Sequence, residues 1–301
     1  MKKTIIVLIS ISFFMSNQVL SQVQHLEDFM LQGKVKSVLQ ISYEYSEHFG
    51  EVKKGAVKHN GNFRRSFNDK GQLIEQISYH NDGELRSKNI YIINEEGNQI
   101  EYQEYLSNES LGLKISYNYD KRGNNIGLHI YNSDGTLKEK VINTYDDKDN
   151  ILEQVRYSPE GKISTRQTYK YNDEGKEIEI NQFNSEGILH LKLDFSINGE
   201  TSKYDADGNL IEKIIVKDNE DKTNTEVIVF NSNGWPIEKR TWKYDSKFNT
   251  LEFLEYSEDG TINYKHINEY EYDERENYTI HLERINDKPG SYIERTFEYY
   301  D

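Results

Sequence analysis

The sequence predicts an all-β protein: an antiparallel meander of repeated β-hairpins that forms an extended sheet, coiled or wrapped upon itself. A turn signal recurs every 26 residues, and a second turn signal lies about half-way between successive copies. The 23 tyrosines favour strands, and only 3 prolines interrupt them. With 35% hydrophobic and 30% charged residues, the chain is too polar for a thick core. A thin sheet with two mixed faces needs few aliphatic side chains.

Residues 1–21 have the pattern of a secretory signal peptide. Lys2 and Lys3 precede an apolar run from Ile5 to Met15, which is too short to span a bilayer, and polar and modest residues follow before Gln22. The remaining sequence has no second apolar run. We therefore expect an exported protein, in the periplasm, at the cell surface or outside the cell, that does not insert into a membrane after signal removal. Because the chain has no cysteine, disulfides and thiolate sites are excluded.

Residues 22–66 lie outside the clear repeat register and are interpreted as an N-terminal capping segment, mainly β. Residues Gly33–Val38 and Ile41–Tyr45 have the composition of strands, and His25–Leu31 could form one helical turn. A cap is expected here because the first repeat would otherwise expose a sheet edge.

Residues 67–301 contain the hairpin repeats. The main turn signal is an aromatic or aliphatic residue followed by Asp or Asn and, three residues later, usually Gly. Its first five copies start 26 residues apart, at Phe67, Ile93, Tyr119, Tyr145 and Tyr171. The next copy starts at Tyr204, so we expect a small insertion in the interval, at Asn198–Lys203. A constant interval of this kind indicates a repeat architecture.

A second turn divides each unit into two strands. It begins with Asn, Ser or His and has Gly in the fourth position, which is typical of a type I turn. Its copies are His80–Gly83, Asn132–Gly135, Ser158–Gly161, Asn184–Gly187 and Ser257–Gly260. The repeats then contain about seventeen strands, more than an open twisted sheet usually holds. The sheet should therefore coil.

Folding each hairpin about its turn predicts which residues lie opposite one another. Around the half-way turn, residues 13 apart should face each other, and five such pairs have opposite charges. They are Glu75 with Lys88, Glu101 with Lys114, Glu153 with Arg166, Glu179 with Lys192, and Glu252 with Lys265. Around the main turn, the predicted pairs are aromatic and β-branched: Tyr91 with Ile100, Tyr117 with Ile126, and Tyr169 with Ile178. A bulge at the turn glycine could shift this register.

Segments such as Tyr117–Gly123 and Tyr204–Ile211 resemble the YD repeats, also called RHS repeats, of exported bacterial proteins. The resemblance covers Phe67–Asp301. It implies a coiling β-sheet that encloses a toxin, decorates a cell surface or binds partners. The family unit is slightly shorter and carries Arg after the turn glycine, where this chain has residues such as Asn124. A weaker similarity, carried by Tyr131–Lys138, is to the MORN-like repeats. Neither resemblance implies a catalytic residue.

The sequence offers no motif for catalysis, a cofactor or a metal. A formal charge of −15 without a basic block argues against a nucleic-acid partner. The eight histidines are scattered, and phosphate-loop, dinucleotide and serine-elbow motifs are absent. Acidic turns such as Asp146–Asp149 and Asp205–Gly208 leave a calcium site open as an alternative. With 52 acidic residues, no carboxylate pair can be singled out for hydrolysis. We expect a protein that is not an enzyme and has no cofactor.

One row of aromatic side chains is a candidate binding site. The residues Tyr79, Tyr105, Tyr131, Tyr157 and Phe183 recur at 26-residue intervals. On one face of the sheet they would form a candidate ligand-stacking row for sugar rings or a peptide, although repetition alone also places identical residues in rows for packing. We expect a non-catalytic binding or cell-envelope scaffold with an unidentified protein or glycan partner. The alternatives are a partner-inhibiting protein of the antitoxin or immunity type and a glycan-active hydrolase.

Overall fold

The structure is a computed structural model that describes residues 23–196 and 198–301. The predicted signal peptide, residues 1–21, lies outside the described residues. The chain forms a single antiparallel sheet of twenty-one strands. They are β1 (Val35–His48), β2 (Glu51–Val57), β3 (Phe63–Phe67), β4 (Leu73–Tyr79), β5 (Leu85–Ile93), β6 (Gln99–Leu106), β7 (Leu111–Tyr119), β8 (Asn125–Asn132), β9 (Leu137–Tyr145), β10 (Ile151–Tyr157), β11 (Ile163–Tyr171), β12 (Glu177–Phe183), β13 (Leu189–Phe195), β14 (Glu200–Tyr204), β15 (Leu210–Asp218), β16 (Asn224–Asn231), β17 (Pro236–Tyr244), β18 (Thr250–Tyr256), β19 (Ile262–Tyr272), β20 (Tyr278–Ile285) and β21 (Lys288–Tyr299).

The sheet is a meander, as predicted, but it closes on itself. From β3 to β21 each strand pairs with its neighbours in the chain, and β1 pairs with both ends of the series. Val38 of β1 lies between Arg65 of β3 and Phe297 of β21. Twenty strands thus form a closed barrel, whereas the sequence predicts a coiled or wrapped extended sheet. Strand twist brings the two ends together, and closure removes the edges that an open sheet would expose.

β2 lies outside the ring. The first half of β1, from Ser37 to Gln40, pairs with β3, while Tyr43–His48 pairs with β2 along the same edge. β2 therefore extends the barrel wall as a short hairpin rather than adding a twenty-first member to the ring.

The turns follow one geometry, illustrated by Asn94–Gly97. The Gly97 N–H donates to the Asn94 carbonyl over 3.0 Å, and the Asn94 N–H donates to the Asn98 carbonyl over 2.9 Å. This is a type I turn followed by a residue in the left-handed region, where Gly97 has φ of +90°. The Asn94 side chain also accepts the Asn98 N–H over 2.8 Å. Such a turn places a bulge in the ladder.

The bulges shift the register by two residues from the prediction. Around the main turn, Tyr91 lies opposite Tyr102 and not Ile100. In the same way, Leu128 replaces Ile126 opposite Tyr117, and Ile180 replaces Ile178 opposite Tyr169. The predicted aromatic and isoleucine pairs are therefore wrong. Ile100, Ile126 and Ile178 instead lie beside the bulges and are exposed.

The charge pairs survive this shift as diagonal contacts. Glu75 lies opposite Ile90, yet its carboxylate is 3.0 Å from Lys88 Nζ. Three other predicted ion pairs also form: Glu101–Lys114 at 3.5 Å, Glu153–Arg166 at 3.0 Å and Glu179–Lys192 at 3.2 Å. Lys265 instead contacts Asp287 at 2.7 Å. Long side chains can reach diagonal neighbours across a sheet. These ion pairs therefore form even though the predicted register differs from the observed one by two residues.

The change of repeat interval after Tyr171 reflects an additional strand. Where a small insertion is predicted at Asn198–Lys203, the chain forms β14, and β13 and β15 pair with its two edges. Each strand reverses the chain direction. One added strand therefore places the Tyr204–Gly208 turn at the opposite end of the barrel from the Tyr119–Gly123 turn. We call the end with the Tyr119–Gly123 turn the first end and the other the second end.

The apolar core is distributed along the wall. One cluster contains Ile115, Tyr117, Leu128 and Val141 from β7, β8 and β9, and another contains Ile214, Val227 and Val229 from β15 and β16. Each joins neighbouring strands. A closed sheet has one face toward its interior, and the buried side chains of these clusters lie on that face. We call the face that carries these clusters the inner face and the opposite face the outer face.

The N-terminal segment packs against the first end. A 3-10 turn at Leu26–Phe29 contributes to an apolar cluster with Val38 and Phe67. The Leu26 N–H donates to the Gly71 carbonyl over 2.9 Å, and the Gln32 N–H donates to Asn277 Oδ1 over 2.7 Å. The segment thus crosses from the β3–β4 turn to the β19–β20 turn. Within the described ranges no helix is long and apolar enough to cross a membrane.

Candidate functional site

The five rings of the predicted stacking row lie on the outer face near the second end. They belong to alternate strands of the repeat: Tyr79 (β4), Tyr105 (β6), Tyr131 (β8), Tyr157 (β10) and Phe183 (β12). All five side chains are half-buried. This regular placement follows from the repeat. After each unit of two strands the chain is again at the same end of the barrel, two strands further around the wall.

Cationic side chains occupy the strands between these rings. Lys88, Lys114, Lys140 and Arg166 lie directly opposite Tyr105, Tyr131, Tyr157 and Phe183. Lys114 Nζ is 5.5 Å from the centre of the Tyr131 ring, and the Arg166 guanidinium is 4.2 Å from the Phe183 ring. We call these five rings and four cations the aromatic–cation belt. The 26-residue interval of the three lysines could have revealed the cations as part of the site.

The belt is close to electrically neutral. Lys88, Lys114 and Arg166 also contact Glu75, Glu101 and Glu153. Lys114 and Arg166 thus each bridge a carboxylate and an aromatic ring. At exposed positions, contacts of either kind contribute at most about 1 kcal/mol. Their main effect is to hold the rings in place.

Tyr79, the first ring of the belt, also lines a groove on the outer face. The groove has a volume of about 560 Å³ and lies where β1 joins β3 and β21. Its apolar lining comes from residues such as Leu39, Ile41, Tyr43 and Val57. One wall carries an ion pair in which Arg64 is 3.0 Å from Glu298. A hydrogen bond from Ser37 and the charge of Arg64 lower the pKa of Glu298.

The tyrosine of the main turn signal donates a hydrogen bond to the backbone of the neighbouring strand. The Tyr171 hydroxyl donates to the Ile151 carbonyl over 2.9 Å, and the Tyr145 hydroxyl donates to the Asn125 carbonyl over 2.7 Å. In both cases the acceptor is 20 residues earlier, at the start of the neighbouring hairpin strand. The motif tyrosine therefore ties consecutive repeats together.

The aspartate of the signal has an equally local role. Asp146 Oδ1 accepts the backbone N–H groups of Lys148 and Asn150, both over 2.8 Å, and Oδ2 accepts the Asn150 amide over 2.9 Å. These hydrogen bonds lower the pKa of Asp146. Across the described part of the chain, no group of three His, Asp or Glu side chains is arranged to hold a metal ion.

Two titratable groups have strongly shifted pKa values. Burial raises the pKa of Glu177, at the start of β12, to about 7. Burial also lowers the pKa of His281 to about 4; its ring stacks on Tyr270 at 4.5 Å and bonds to Asn268 over 2.8 Å. The two groups lie on strands β12 and β20, so they do not form one site.

Comparisons with known proteins give limited information. A family model described as "Uncharacterised protein" matches residues 110–196, less than a third of the chain. No curated protein matches the sequence.

Several solved structures resemble the fold at low identity. A porin-like protein from Bacteroides uniformis is 10% identical, with a TM-score of 0.34, and the match covers 89% of this chain and 98% of that chain. A porin-like protein from Bacteroides vulgatus is also 10% identical, with a TM-score of 0.29 and coverages of 88% and 98%. TcdB2-TccC3 without its hypervariable C-terminal region is 12% identical, with a TM-score of 0.33. That match covers 82% of this chain and 16% of TcdB2-TccC3.

Proposed function

We propose that this chain is an exported, non-catalytic repeat protein that acts as a binding protein or cell-envelope scaffold. Its recognition surface is the aromatic–cation belt, and its preferred partner is a linear glycan. The observation that supports this most directly is the regular row of five rings on the outer face. Membership of the YD-repeat family is part of the proposal, supported by the resemblance of the turn signals.

The spacing of the rings favours a glycan. Neighbouring strands lie about 4.8 Å apart, so rings on alternate strands are separated by about 10 Å. This distance is close to the length of a disaccharide unit in an extended chain. Each ring of the belt could then stack on every second sugar. Because three of the four cations are already paired with glutamates, a neutral or weakly charged glycan fits better than a polyanion.

The proposed location is the periplasm, the cell surface or the medium, supported by the signal-peptide pattern of residues 1–21. After signal removal the protein does not insert into a membrane. The outer face supports this, because ion pairs such as Glu101–Lys114 and Glu153–Arg166 cross its middle. Placing such charges in lipid is costly.

A second candidate is a protein that binds and inhibits a partner, as antitoxin or immunity proteins do. The groove beside Tyr79 favours it, because a volume of about 560 Å³ with an apolar lining suits an inserted peptide segment. This partner would contact the seam of the barrel rather than the length of the belt.

A glycan-binding screen tests the first proposal. The mature protein is titrated with soluble linear glycans of the cell envelope, followed by the variant Tyr131→Ala/Tyr157→Ala. We expect at least a tenfold loss of affinity in this variant. The matched control is Tyr256→Ala, since Tyr256 also lies beneath a lysine, 5.3 Å from Lys239 Nζ, but outside the belt. Equal binding by all three proteins would overturn the proposal. Binding of a stoichiometric protein, lost in a Tyr43→Ala variant, would favour the second candidate.

A further inference from the structure

Two arginines lie on the inner face where the barrel closes. Arg65 of β3 is directly opposite Val38 of β1, and Arg295 of β21 is directly opposite Gln40. Val38 is buried in the inner cluster. Directly opposed residues share a face, and residues two apart on a strand do the same. Both arginines therefore face the interior, on either side of β1.

Aromatic rings and a glutamine hold the Arg65 side chain. Its guanidinium is 4.3 Å from the ring of Phe29 and 4.3 Å from the ring of Phe63. Its Nε donates to Gln76 Oε1 over 2.8 Å. Burial, and the charge of Arg295, lower the pKa of Arg65 to about 10. The two guanidinium groups thus lie close enough to repel each other.

Arg295 is held in a similar way. Its guanidinium is 3.8 Å from the ring of Tyr278, and its Nε donates to Gln40 Oε1 over 2.9 Å. Gln40 is fixed in turn by a 3.0 Å bond from its amide to the Gly61 carbonyl. Burial lowers the pKa of Arg295.

Neither arginine has an acidic partner in the described chain. Other partly buried arginines do: Arg156 contacts Glu139, and Arg284 contacts Glu47. In a protein with a formal charge of −15, two neighbouring half-buried cations that both lack a carboxylate are unexpected. Burying a cation without a counter-charge is costly. Each guanidinium uses Nε for a glutamine and leaves its terminal nitrogens free for a ligand.

The rings that hold the arginines also define the rest of the ligand. Phe63 lies against Arg65, and Tyr278 lies against Arg295 on the other side of β1. An apolar body attached to an oxyanion could contact these rings while the oxyanion binds the two guanidinium groups.

We propose that Arg65 and Arg295 form an inner binding site for a small organic anion, in which a carboxylate or phosphate is attached to an apolar body. Guanidinium groups bind either anion through paired hydrogen bonds. The site is independent of the aromatic–cation belt, because it lies on the opposite face of the sheet.

The test is calorimetric titration of the full mature protein with benzoate, phenyl phosphate and inorganic phosphate. We expect benzoate or phenyl phosphate to bind, and Arg295→Gln to weaken that binding at least tenfold. The matched control is Arg64→Gln, which removes a neighbouring arginine on the outer face and should leave the affinity unchanged. The first two ligands distinguish a carboxylate from a phosphate. Inorganic phosphate binding as tightly as phenyl phosphate would contradict the role of the rings beside the arginines.

A second variant keeps the test decisive if Arg295→Gln does not fold. Arg295→Lys retains the positive charge but lacks the paired N–H donors of the guanidinium group. It should weaken binding about tenfold while the circular dichroism spectrum remains unchanged. Unchanged affinity in Arg295→Lys, equal losses in the Arg64→Gln control, or no binding of any of the three ligands by the wild-type protein would overturn the proposal. Glycan binding by the belt should be the same in all these variants.

Discussion

The hydroxyl of Tyr119 donates a hydrogen bond to the carbonyl oxygen of Gln99, 2.7 Å away and 20 residues earlier in the chain. The same bond recurs between Tyr171 and Ile151. The turn signal therefore contains a side chain that attaches each repeat to the preceding one, while Asp or Asn beside it closes the turn. These two structural roles explain why tyrosine and aspartate occur together in the turn signal.

Replacing the motif tyrosine should weaken this attachment. In Tyr171→Phe the Ile151 carbonyl loses its side-chain donor, so we expect the free energy of unfolding to fall by about 1 kcal/mol. Urea denaturation followed by circular dichroism measures the change. The control is Tyr131→Phe, because the Tyr131 hydroxyl makes no side-chain hydrogen bond within the described chain. Equal losses in the two variants would contradict the structural role.

The turns that lack glycine offer sites for stabilisation. Lys222 has φ of +59°, a conformation that costs a residue with a Cβ about 1 kcal/mol. Lys222→Gly should therefore raise the free energy of unfolding by up to about that amount. The reverse change, Gly135→Ala, meets no neighbouring atom within 4 Å but has φ of +82°. It should lower stability by a similar amount, as thermal denaturation would show. A loss of stability in Lys222→Gly would contradict this account.

Glu177 should make stability depend on pH. Burial raises its pKa in the folded protein to about 7, above the ordinary glutamate value of 4.5. The folded state thus binds the Glu177 proton more tightly than the unfolded state does. The stabilisation that comes from protonated Glu177 is complete below pH 4.5 and is lost as the pH rises through 7. Glu177→Gln should therefore be more stable than the wild type by about 1–2 kcal/mol at pH 8.

Urea titrations at pH 4.5 and pH 8 measure this effect. Near pH 4.5 the difference between Glu177→Gln and the wild type should be small. Glu96→Gln, at an exposed turn, is the control and should show no such dependence. A Glu177→Gln advantage that is equal at both pH values would contradict the assignment.

The closed ring predicts which deletions the fold accepts. Removing residues Tyr119–Thr144 takes out β8 and β9 and should leave a folded ring of eighteen strands. Removing only Tyr119–Asn132 takes out one strand, and the two ends of the sheet would then meet running in the same direction. We expect circular dichroism and gel filtration to show a folded monomer-sized protein for the first deletion alone. Equal behaviour of the two deletions would contradict the closed meander.

Local features of the fold were predictable because they are encoded by neighbouring residues. Turns such as Asn132–Gly135 mark the strand ends, and charged pairs such as Glu153 and Arg166 indicate strand pairing. The register was displaced because the bulge at a turn glycine depends on backbone geometry that the pattern does not contain. Closure was missed for a different reason: β1 meets β21 through contacts such as Val38 with Phe297, far apart in the chain and without a distinctive pattern.

Of the two candidate sites, the sequence predicts the rings of the aromatic–cation belt but not the arginine site. The rings of the belt share a repeat position, so periodicity alone places them in a row. Arg65 and Arg295 come together only because the ring closes at β1. A site at a closure seam lies outside the repeat symmetry and is invisible to any search for periodic residues.

The single strand β14 constrains how such a protein can grow. An all-antiparallel ring needs an even number of strands, and duplication of a hairpin adds two, so repeat number can change freely without affecting closure. A lone strand changes the parity and must be balanced elsewhere in the chain. Here the balance lies in β17: the turn signal at Tyr204, after β14, is at the second end, whereas the signal at Tyr244, after β17, is again at the first end. Relatives that lack β14 are therefore expected to lack β17 or one other strand as well, whereas those that differ by whole hairpins need no compensation.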